Sequence, residues 1–286
     1  MGQKPGSLFA RIARLAILCS CLFSLSGTGA DNSTADPTGG KNPQDTGAIA
    51  ARSVFRVLNR NYGGTGFLHK SGAVITAAHV VAGGDTNSIR ILSPTMEMLT
   101  ITNFIADTEL DLAILKPTTP IAAPAFPLLY TNRIPVGLRV SAWGFPQGYA
   151  GQSPLLIVGY VAGKEYSPAG SNSLALRMVV NAAFNAGQSG SPLVQFDGDG
   201  ILGVVVSRAD PIPPKIVAEI QALKEANGGG FFAVTNVATG ESTKISEGQL
   251  LGEVLDYLHS QTQTMIGHVV PSPTLARFLQ RNGIEP

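Results

Sequence analysis

A serine set between glycines, a histidine closing an apolar run and an aspartate entering another are the residues here whose types and spacing can do chemistry together. A hydroxyl is a poor nucleophile at neutral pH. Acyl transfer by serine therefore needs a base within hydrogen-bond reach and a third group that orients the base. Ser189 lies in Gly187-Gln188-Ser189-Gly190-Ser191-Pro192, where the glycines permit a tight backbone that aims amide N–H groups at a developing oxyanion. His79, one of four histidines, ends the run Thr76-Ala77-Ala78-His79, and a strand terminus there would hold its imidazole at a rigid edge. Alone, a histidine in such a place is ordinarily structural. Asp111 changes the balance, because Leu110-Asp111-Leu112-Ala113-Ile114-Leu115 embeds an acid in an apolar strand. Burying a carboxylate without partners is costly, and a waiting imidazole N–H is a reason to do so. Asp107 and Glu109 read as solvated turn residues.

The other titratable residues suggest less. His69, beside Lys70-Ser71-Gly72, and His259, on the polar side of a helix, read as solvent-facing, and His268 as a packed strand residue. No histidine, cysteine or acid pair has metal-ligand spacing, and no cofactor is expected. With 14% charged residues and a formal net charge of +1, the chain offers neither a nucleic-acid surface nor a polybasic membrane patch. The expected partner is a protein or peptide substrate. The sequence carries no signal of oligomeric state.

The elements that must position these residues follow from rhythm. From Ala48 onward, apolar clusters of a few residues recur between turn signals, at 54–58, 66–69, 73–78, 89–92, 110–115 and 138–143. They resume at 155–161, 174–181, 192–196 and 201–207, and Asp197-Gly198-Asp199-Gly200 supplies turn chemistry between the last two. Such spacing predicts antiparallel strands, in two sets divided by the proline-rich stretch Pro117 to Pro135. After Ser207, residues 213–226 and 247–262 take helical spacing, with Leu251, Val254, Leu255 and Leu258 on one face, and they flank a short apolar piece, Phe231 to Val237. At the C-terminus, Ser272 suits an N-cap, Pro273 the first helical position, Leu275, Phe278 and Leu279 an apolar stripe, and Gly283 the stop.

Residues 1–30 read as a signal peptide cleaved after Ala30: Lys4, Arg11 and Arg14 precede an apolar stretch from Leu15 to about Leu25, too short to span a membrane. Its removal leaves 17 basic against 19 acidic residues and no cysteine, so the mature core stands without disulfides and without a membrane span. A lipid anchor on Cys21 is the alternative. Residues 31–47, polar and rich in glycine and proline, read as a flexible linker.

Taken together, the segments around His79, Asp111 and Ser189 resemble the chymotrypsin-like (trypsin-like) serine peptidases, and in spacing the disulfide-free bacterial HtrA-type branch. The order is His, Asp, Ser, with 32 and 78 residues between successive members. Gly64-Thr65-Gly66 looks like that branch's G-[ST]-G, Asp111-Leu112-Ala113 like D-[LI]-A, and Gly187-Gln188-Ser189-Gly190 like G-[ND]-S-G. His268-Val269-Val270-Pro271-Ser272 is similar to the junction closing its protease domain. No PDZ module follows. The resemblance implies an all-β fold of two packed antiparallel six-stranded β-barrels, one over about 48–128 and one over about 135–286, with a helical insertion over about 208–266 and a C-terminal helix.

It further implies Ser189 as nucleophile, His79 as proton shuttle, Asp111 as orienting carboxylate, and the amides of Gly187 and Ser189 as oxyanion hole. Gln188 departs from the acid that would pair with a new N-terminal ammonium, so activation by that ion pair is not expected. Trypsin-type basic specificity would want an acid where Ala183 stands, and glutamyl specificity a histidine near Val205. With Ala183 and Val205 in the substrate pocket, a small or medium apolar residue before the cut is expected. Where the insertion leaves the substrate-lining strand, it is expected either to border that pocket or to be a surface embellishment. A catalytically silent trypsin-like fold acting as an exported binding module is the alternative function.

Overall fold

The computed structural model describes residues 43–286 except 61, 132, 170–172, 199, 209–211, 236–239 and 263. The expected leader, with Cys21, and the linker as far as residue 42 lie outside the described residues. Residues 43–47 correct the linker boundary. They open helix α1 (Pro43–Ser53), with Asp45 in its first turn. This turn has no apolar period because other contacts hold it: the Thr46 hydroxyl donates to the Gly198 carbonyl at 2.9 Å, and Gly47 lies flush on the Trp143 ring.

Strands β1 (Val54–Asn59), β2 (Tyr62–Leu68), β3 (Val74–Thr76), β4 (Ile89–Leu92), β5 (Met98–Leu99), β6 (Ile101–Asp107) and β7 (Leu112–Pro117) form an antiparallel sheet in the order β5-β4-β1-β2-β3-β7-β6. It curls until β4 and β6 approach each other. Seven strands rather than six arise because Met98–Leu99 pairs with β4 as a separate short piece. The chain continues through β8 (Arg139–Gly144), β9 (Leu155–Ala169), β10 (Ser173–Asn181), β11 (Pro192–Gln195) and β12 (Ile201–Arg208), then helix α2 (Pro214–Glu225), β13 (Phe231–Thr235), β14 (Ser242–Ser246), helix α3 (Glu247–Gln261), β15 (Gly267–Pro271) and helix α4 (Ser272–Arg281). Six of these strands close a barrel, β10-β15-β12-β11-β8-β9. The fold is thus the expected all-β arrangement of two barrel-like sheets.

Burial follows the apolar runs. Leu112 to Leu115 are buried without a break, as befits a strand covered on both faces, and Phe55, Phe67, Ile75 and Ile91 fill the first sheet. The same apolar cluster crosses the junction to Val194, Ile201, Val204 and Val206 of the second barrel and takes in Leu275, Phe278 and Leu279 of α4. The C-terminal helix therefore ties the two lobes rather than packing on the second alone, and Arg281 reaches Asp107 of the first at 3.2 Å. Ser272 is not its N-cap. Its hydroxyl donates to the Leu129 carbonyl at 2.6 Å instead, and the helix starts one residue earlier than expected.

Within the insertion, Ser246 caps α3 in a reciprocal bond pair with Gln249. The apolar stripe of α3 is open: Leu251, Val254 and Leu258 are about half exposed. Gly248 and Gly252, one turn apart, form the close contact with α2, where a β-carbon on Gly252 would lie 2.8 Å from the Lys224 amide nitrogen. Small residues admit the closest backbone approach, so they, and not the leucines, face the partner helix.

His69 also differs from expectation, being 4% exposed. Its Nδ1 accepts the Ser71 amide at 3.2 Å, which puts the proton on Nε2, buried with no acceptor among the described residues. Burial, and then Lys70, hold its pKa below the ordinary value. A base resisting protonation only when folded makes the unfolded chain bind more protons, so stability rises with pH below about 6.5. Denaturant unfolding at pH 5 and pH 7.5 should show stability lost on the acid side, at a slope up to about 1.4 kcal/mol per pH unit. His69→Gln should reduce the slope, and an unchanged slope would assign the loss elsewhere.

Candidate active site

His79 follows β3 in a 3₁₀ turn, Ala78–Val81, not in the strand end itself. Asp111 likewise sits just ahead of β7, in the left-handed region at φ 59°, a conformation Asp tolerates better than most residues. The Asp107 carboxylate orders the turn before it, accepting the amides of Glu109 at 3.1 Å and Leu110 at 2.9 Å. These two turns, on neighbouring strands β3 and β7, bring the side chains together. Asp111 Oδ1 accepts the backbone N–H of His79 at 3.0 Å, and the imidazole Nδ1 lies 2.9 Å from Oδ2 and 3.1 Å from Oδ1. The carboxylate is gripped through both oxygens, so the ring has one favoured orientation.

Arg177, a cation inside the otherwise apolar strand β10, backs this turn. It is 6% exposed, donates to the Glu109 carbonyl at 3.4 Å, and keeps one guanidinium nitrogen without a partner among the described residues. Burial lowers its pKa, while Asp111 and then Asp107 oppose that shift.

Ser189 lies on the loop between β10 and β11. Its carbonyl accepts the Thr65 amide at 2.8 Å, and the Thr65 hydroxyl donates to the Gly187 carbonyl, also at 2.8 Å. The spacing Gly64-Thr65-Gly66 now has a cause: a wholly buried threonine on β2 fastens the serine loop of the other lobe. Gly190 sits at φ 89°, where an added β-carbon would lie 1.9 Å from the Thr65 carbonyl oxygen, so no other residue fits. Gln188, 2% exposed, closes the loop on itself. Its Oε1 accepts the Asn185 amide at 2.7 Å, and its own amide donates to the Asn185 carbonyl at 3.1 Å. An uncharged side chain thus holds the segment for which an ion pair was not expected. Ser191 is buried against Gly144, with its hydroxyl unpartnered among the described residues.

The Ala186 carbonyl accepts the Gln147 amide at 2.7 Å. Because a trans peptide is planar, its C=O and N–H point opposite ways, and the Gly187 N–H is turned from Gln147 toward the cleft. Among the described residues, neither the Gly187 nor the Ser189 amide has an acceptor. Two backbone donors left without acceptors beside a hydroxyl can stabilise an oxyanion if they converge on it. The Ser189 hydroxyl itself donates to the Val206 carbonyl at 3.3 Å.

Three cavities meet here. One of about 360 Å³ contains His79, Asp111 and Ser189 together with Phe184, Val205 and Ser207. Val205 lines it. Ala183 does not: its neighbour Phe184 lines the cavity instead, its ring close against Gly267, where a β-carbon would lie 2.1 Å from a ring carbon. A second cavity, about 400 Å³, lies on the Gly64, Phe145 and Gly187 side of Ser189. The third, about 640 Å³, extends past His79 and Asp111 to Arg177 and His268. There His268 bridges the Ser207 hydroxyl, 3.1 Å from Nδ1, and Glu165, 3.0 Å from Nε2. Among the described residues, none of the insertion lines any of the three cavities.

Residue spacing missed Phe184 because it lies in an irregular loop, with no period to report which way its ring points. Arg177 and Thr65 carried a signal of the kind that singled out Asp111, a polar residue in an apolar strand. Among the described residues no three His, Cys, Asp or Glu side chains cluster as metal ligands would, and no helix is long and apolar enough to cross a membrane.

A family model described as a trypsin-like peptidase domain matches residues 64–204. A curated protein of Hahella chejuensis, named "Probable periplasmic serine endoprotease DegP-like", is 31% identical over 145 residues, covering 49% of this chain and 29% of its own length. This chain therefore spans less than a third of that relative. Among solved structures, the inactive form of the Rv3671c protease of M. tuberculosis matches with a TM-score of 0.56 at 20% identity, covering 87% of this chain and 96% of that one. A variant of the HtrA-type protease AlgW, solved with a tripeptide, matches with a TM-score of 0.54 at 20% identity, covering 85% and 64%. At such identities these structures bear on the fold.

Proposed function

The chain carries a trypsin-like peptidase domain of the chymotrypsin-like, HtrA-type kind, and from that premise we propose that it is an exported serine endopeptidase working through an acyl-enzyme on Ser189. The observation that carries the reading is the imidazole held 2.9 Å from the Asp111 carboxylate, on a cavity it shares with a serine beside two unoccupied amides. Asp111 holds the proton on Nδ1, leaving Nε2 free as the base. On arrival of a peptide, Ser189 Oγ turns from Val206 to the scissile carbonyl and gives its proton to Nε2. The carbonyl oxygen becomes an anion between the Gly187 and Ser189 amides. Collapse breaks the C–N bond, and the amine leaves with the proton from His79. Water, deprotonated by the same ring, then attacks the ester and releases the acid.

The specificity follows from the 360 Å³ cavity. Phe184, Ala186, Val205 and Val206 give it an apolar lining, which favours a small or medium apolar side chain before the cut. Digestion of a peptide library with mass reading of the new termini should show cleavage after residues such as Ala and Val. Phe184→Val enlarges the cavity and should move preference toward Leu and Phe by about ten- to a hundredfold. Cuts unrelated to that side chain in both proteins would reject this pocket, and ester hydrolysis without any peptide cut would reject the peptidase.

Export rests on Lys4, Arg11 and Arg14 ahead of the apolar run, and on a relative named periplasmic. Enzyme prepared for the digestion from the periplasm should begin at Asp31. A first residue of Met1 would contradict cleavage. The silent binding module has one observation in its favour, the Ser189 hydroxyl engaged by Val206. A 3.3 Å bond to a neutral carbonyl is a weak restraint on a serine rotamer, worth about 1 kcal/mol.

A further inference from the structure

The Gly187 donor depends on its peptide plane staying turned, and the contact that turns it comes from the segment after β8. Gln147 N–H holds the Ala186 carbonyl at 2.7 Å, and the backbone of Phe145 and Gln147 closes on Gly187 so tightly that an added β-carbon would lie within 2.8 Å of both. Gly187, at φ 88°, has no side chain to resist rotation. If Gln147 withdrew, the Ala186 carbonyl could swing into the cleft and put an acceptor where a donor is needed. What holds residues 145–151 therefore sets the oxyanion site.

That segment links β8 to β9 of the second barrel and is met from the first sheet by Arg56 of β1. Arg56 Nη2 donates to the Tyr149 carbonyl at 2.6 Å and to the Gly151 carbonyl at 2.8 Å. Its guanidinium carbon lies 4.4 Å from the centre of the Phe145 ring and 5.6 Å from that of Tyr149. Two charge-assisted bonds, both from Nη2, with the planar cation over the Phe145 ring, form a directional clamp whose stacking an ammonium does not reproduce. Among the described residues no other side chain of the first sheet donates into 149–151. The register adds a second point, since Arg56 lies directly opposite Thr65, whose hydroxyl accepts the Phe145 amide at 3.0 Å. Thr65 fastens the start of the segment and Arg56 its far end, with Gln147 between them.

We propose that Arg56 is a positioning residue for catalysis: by clamping Tyr149 and Gly151 it keeps Gln147 on the Ala186 carbonyl and so keeps the Gly187 N–H presented to the oxyanion. The proposal rests on the peptidase reading of the site. Arg56 itself touches no reacting atom. Its effect falls on the transition state, where the anion exists, and not on the bound substrate.

The test uses the full-length enzyme with Arg56→Met, which keeps the stem and removes the donors, and Arg56→Lys, which keeps a charged donor but not the planar cation stacked on Phe145. Loss of one oxyanion donor costs about 10²- to 10³-fold in kcat, and displacement short of loss costs less. Arg56→Met should lower kcat about 10- to 100-fold with KM within about twofold, and Arg56→Lys should recover part of the loss. A peptide aldehyde, whose adduct with serine carries the same oxyanion, should bind Arg56→Met more weakly by the factor lost in kcat/KM. Wild-type kcat in Arg56→Met, or a rise in KM alone, would overturn the role. If Arg56→Met does not fold, Arg56→Lys decides by the same split between kcat and KM. A folded wild-type protein that neither cleaves peptides nor binds the aldehyde would overturn the reading of the site itself, a separate outcome from an active wild type beside an unimpaired variant.

Discussion

Ser189→Ala should abolish peptide cleavage, with kcat falling by about 10⁶-fold, while the folded protein stays as stable as its parent. The two halves of that expectation have different sources. The hydroxyl makes one bond, 3.3 Å to the Val206 carbonyl, so its removal disturbs little of the fold. The loop stays in place through its backbone, by the Thr65 amide on the Ser189 carbonyl and the Gly190 amide on the Val205 carbonyl at 2.7 Å. Activity has no such redundancy, because the oxyanion donors stabilise nothing until a nucleophile has attacked. His79→Ala should cost nearly as much, and the double variant scarcely more, since the two residues act as one unit. Initial rates on one peptide, with thermal unfolding of each protein, check both halves. Residual cleavage above about one thousandth of wild type in Ser189→Ala would mean another nucleophile.

Asp111→Asn should lower kcat by about 10⁴-fold, and the reason lies in which oxygen does what. Oδ1 is bound by the backbone N–H of His79 at 3.0 Å, and only an oxygen can stay there. The asparagine amide is therefore forced to put its carbonyl at that position and its NH₂ at the position of Oδ2, which is 2.9 Å from Nδ1. A donor facing Nδ1 moves the ring proton to Nε2, the atom that must be bare to receive the proton of Ser189. The base is blocked with almost no displacement of atoms. KM should stay within about threefold, since no substrate contact is lost. A loss of less than tenfold would show that the carboxylate does not set the tautomer.

The strands of the second barrel were legible because their apolar runs are continuous and end in turn signals. The first sheet was read less fully: β5 and β6 were missed, since Ile101–Asp107 alternates exposed and half-buried residues and carries Asn103 and Asp107 in place of an apolar stripe. Asp111 was recognised by the anomaly of an acid beside Leu112, yet placed in the strand, because a left-handed turn residue has no marker when it is not glycine. His69 looked solvated beside Lys70 and proved buried, since local polarity does not report where a hairpin folds. The α3 helix was legible from its spacing, but not its packing. Periodicity identified the apolar face, but Gly248 and Gly252 decided which face meets α2. At the site, the reacting residue types were legible from order and spacing. The inter-barrel fastenings, Thr65 on the serine loop and Arg56 on residues 145–151, were not, because each joins segments about 90 or more residues apart through backbone carbonyls that no side-chain pattern encodes.

Covalent capture tests the central claim most directly. A fluorophosphonate reacts with a serine whose proton is taken by a neighbouring base and whose adduct oxygen is held by oxyanion donors, so it requires all parts of the site at once. Intact mass and peptide mapping should find one adduct per wild-type chain, on Ser189, absent from Ser189→Ala and formed far more slowly on His79→Ala. A folded wild-type chain that takes up no label, or a label that persists in Ser189→Ala, would contradict the account.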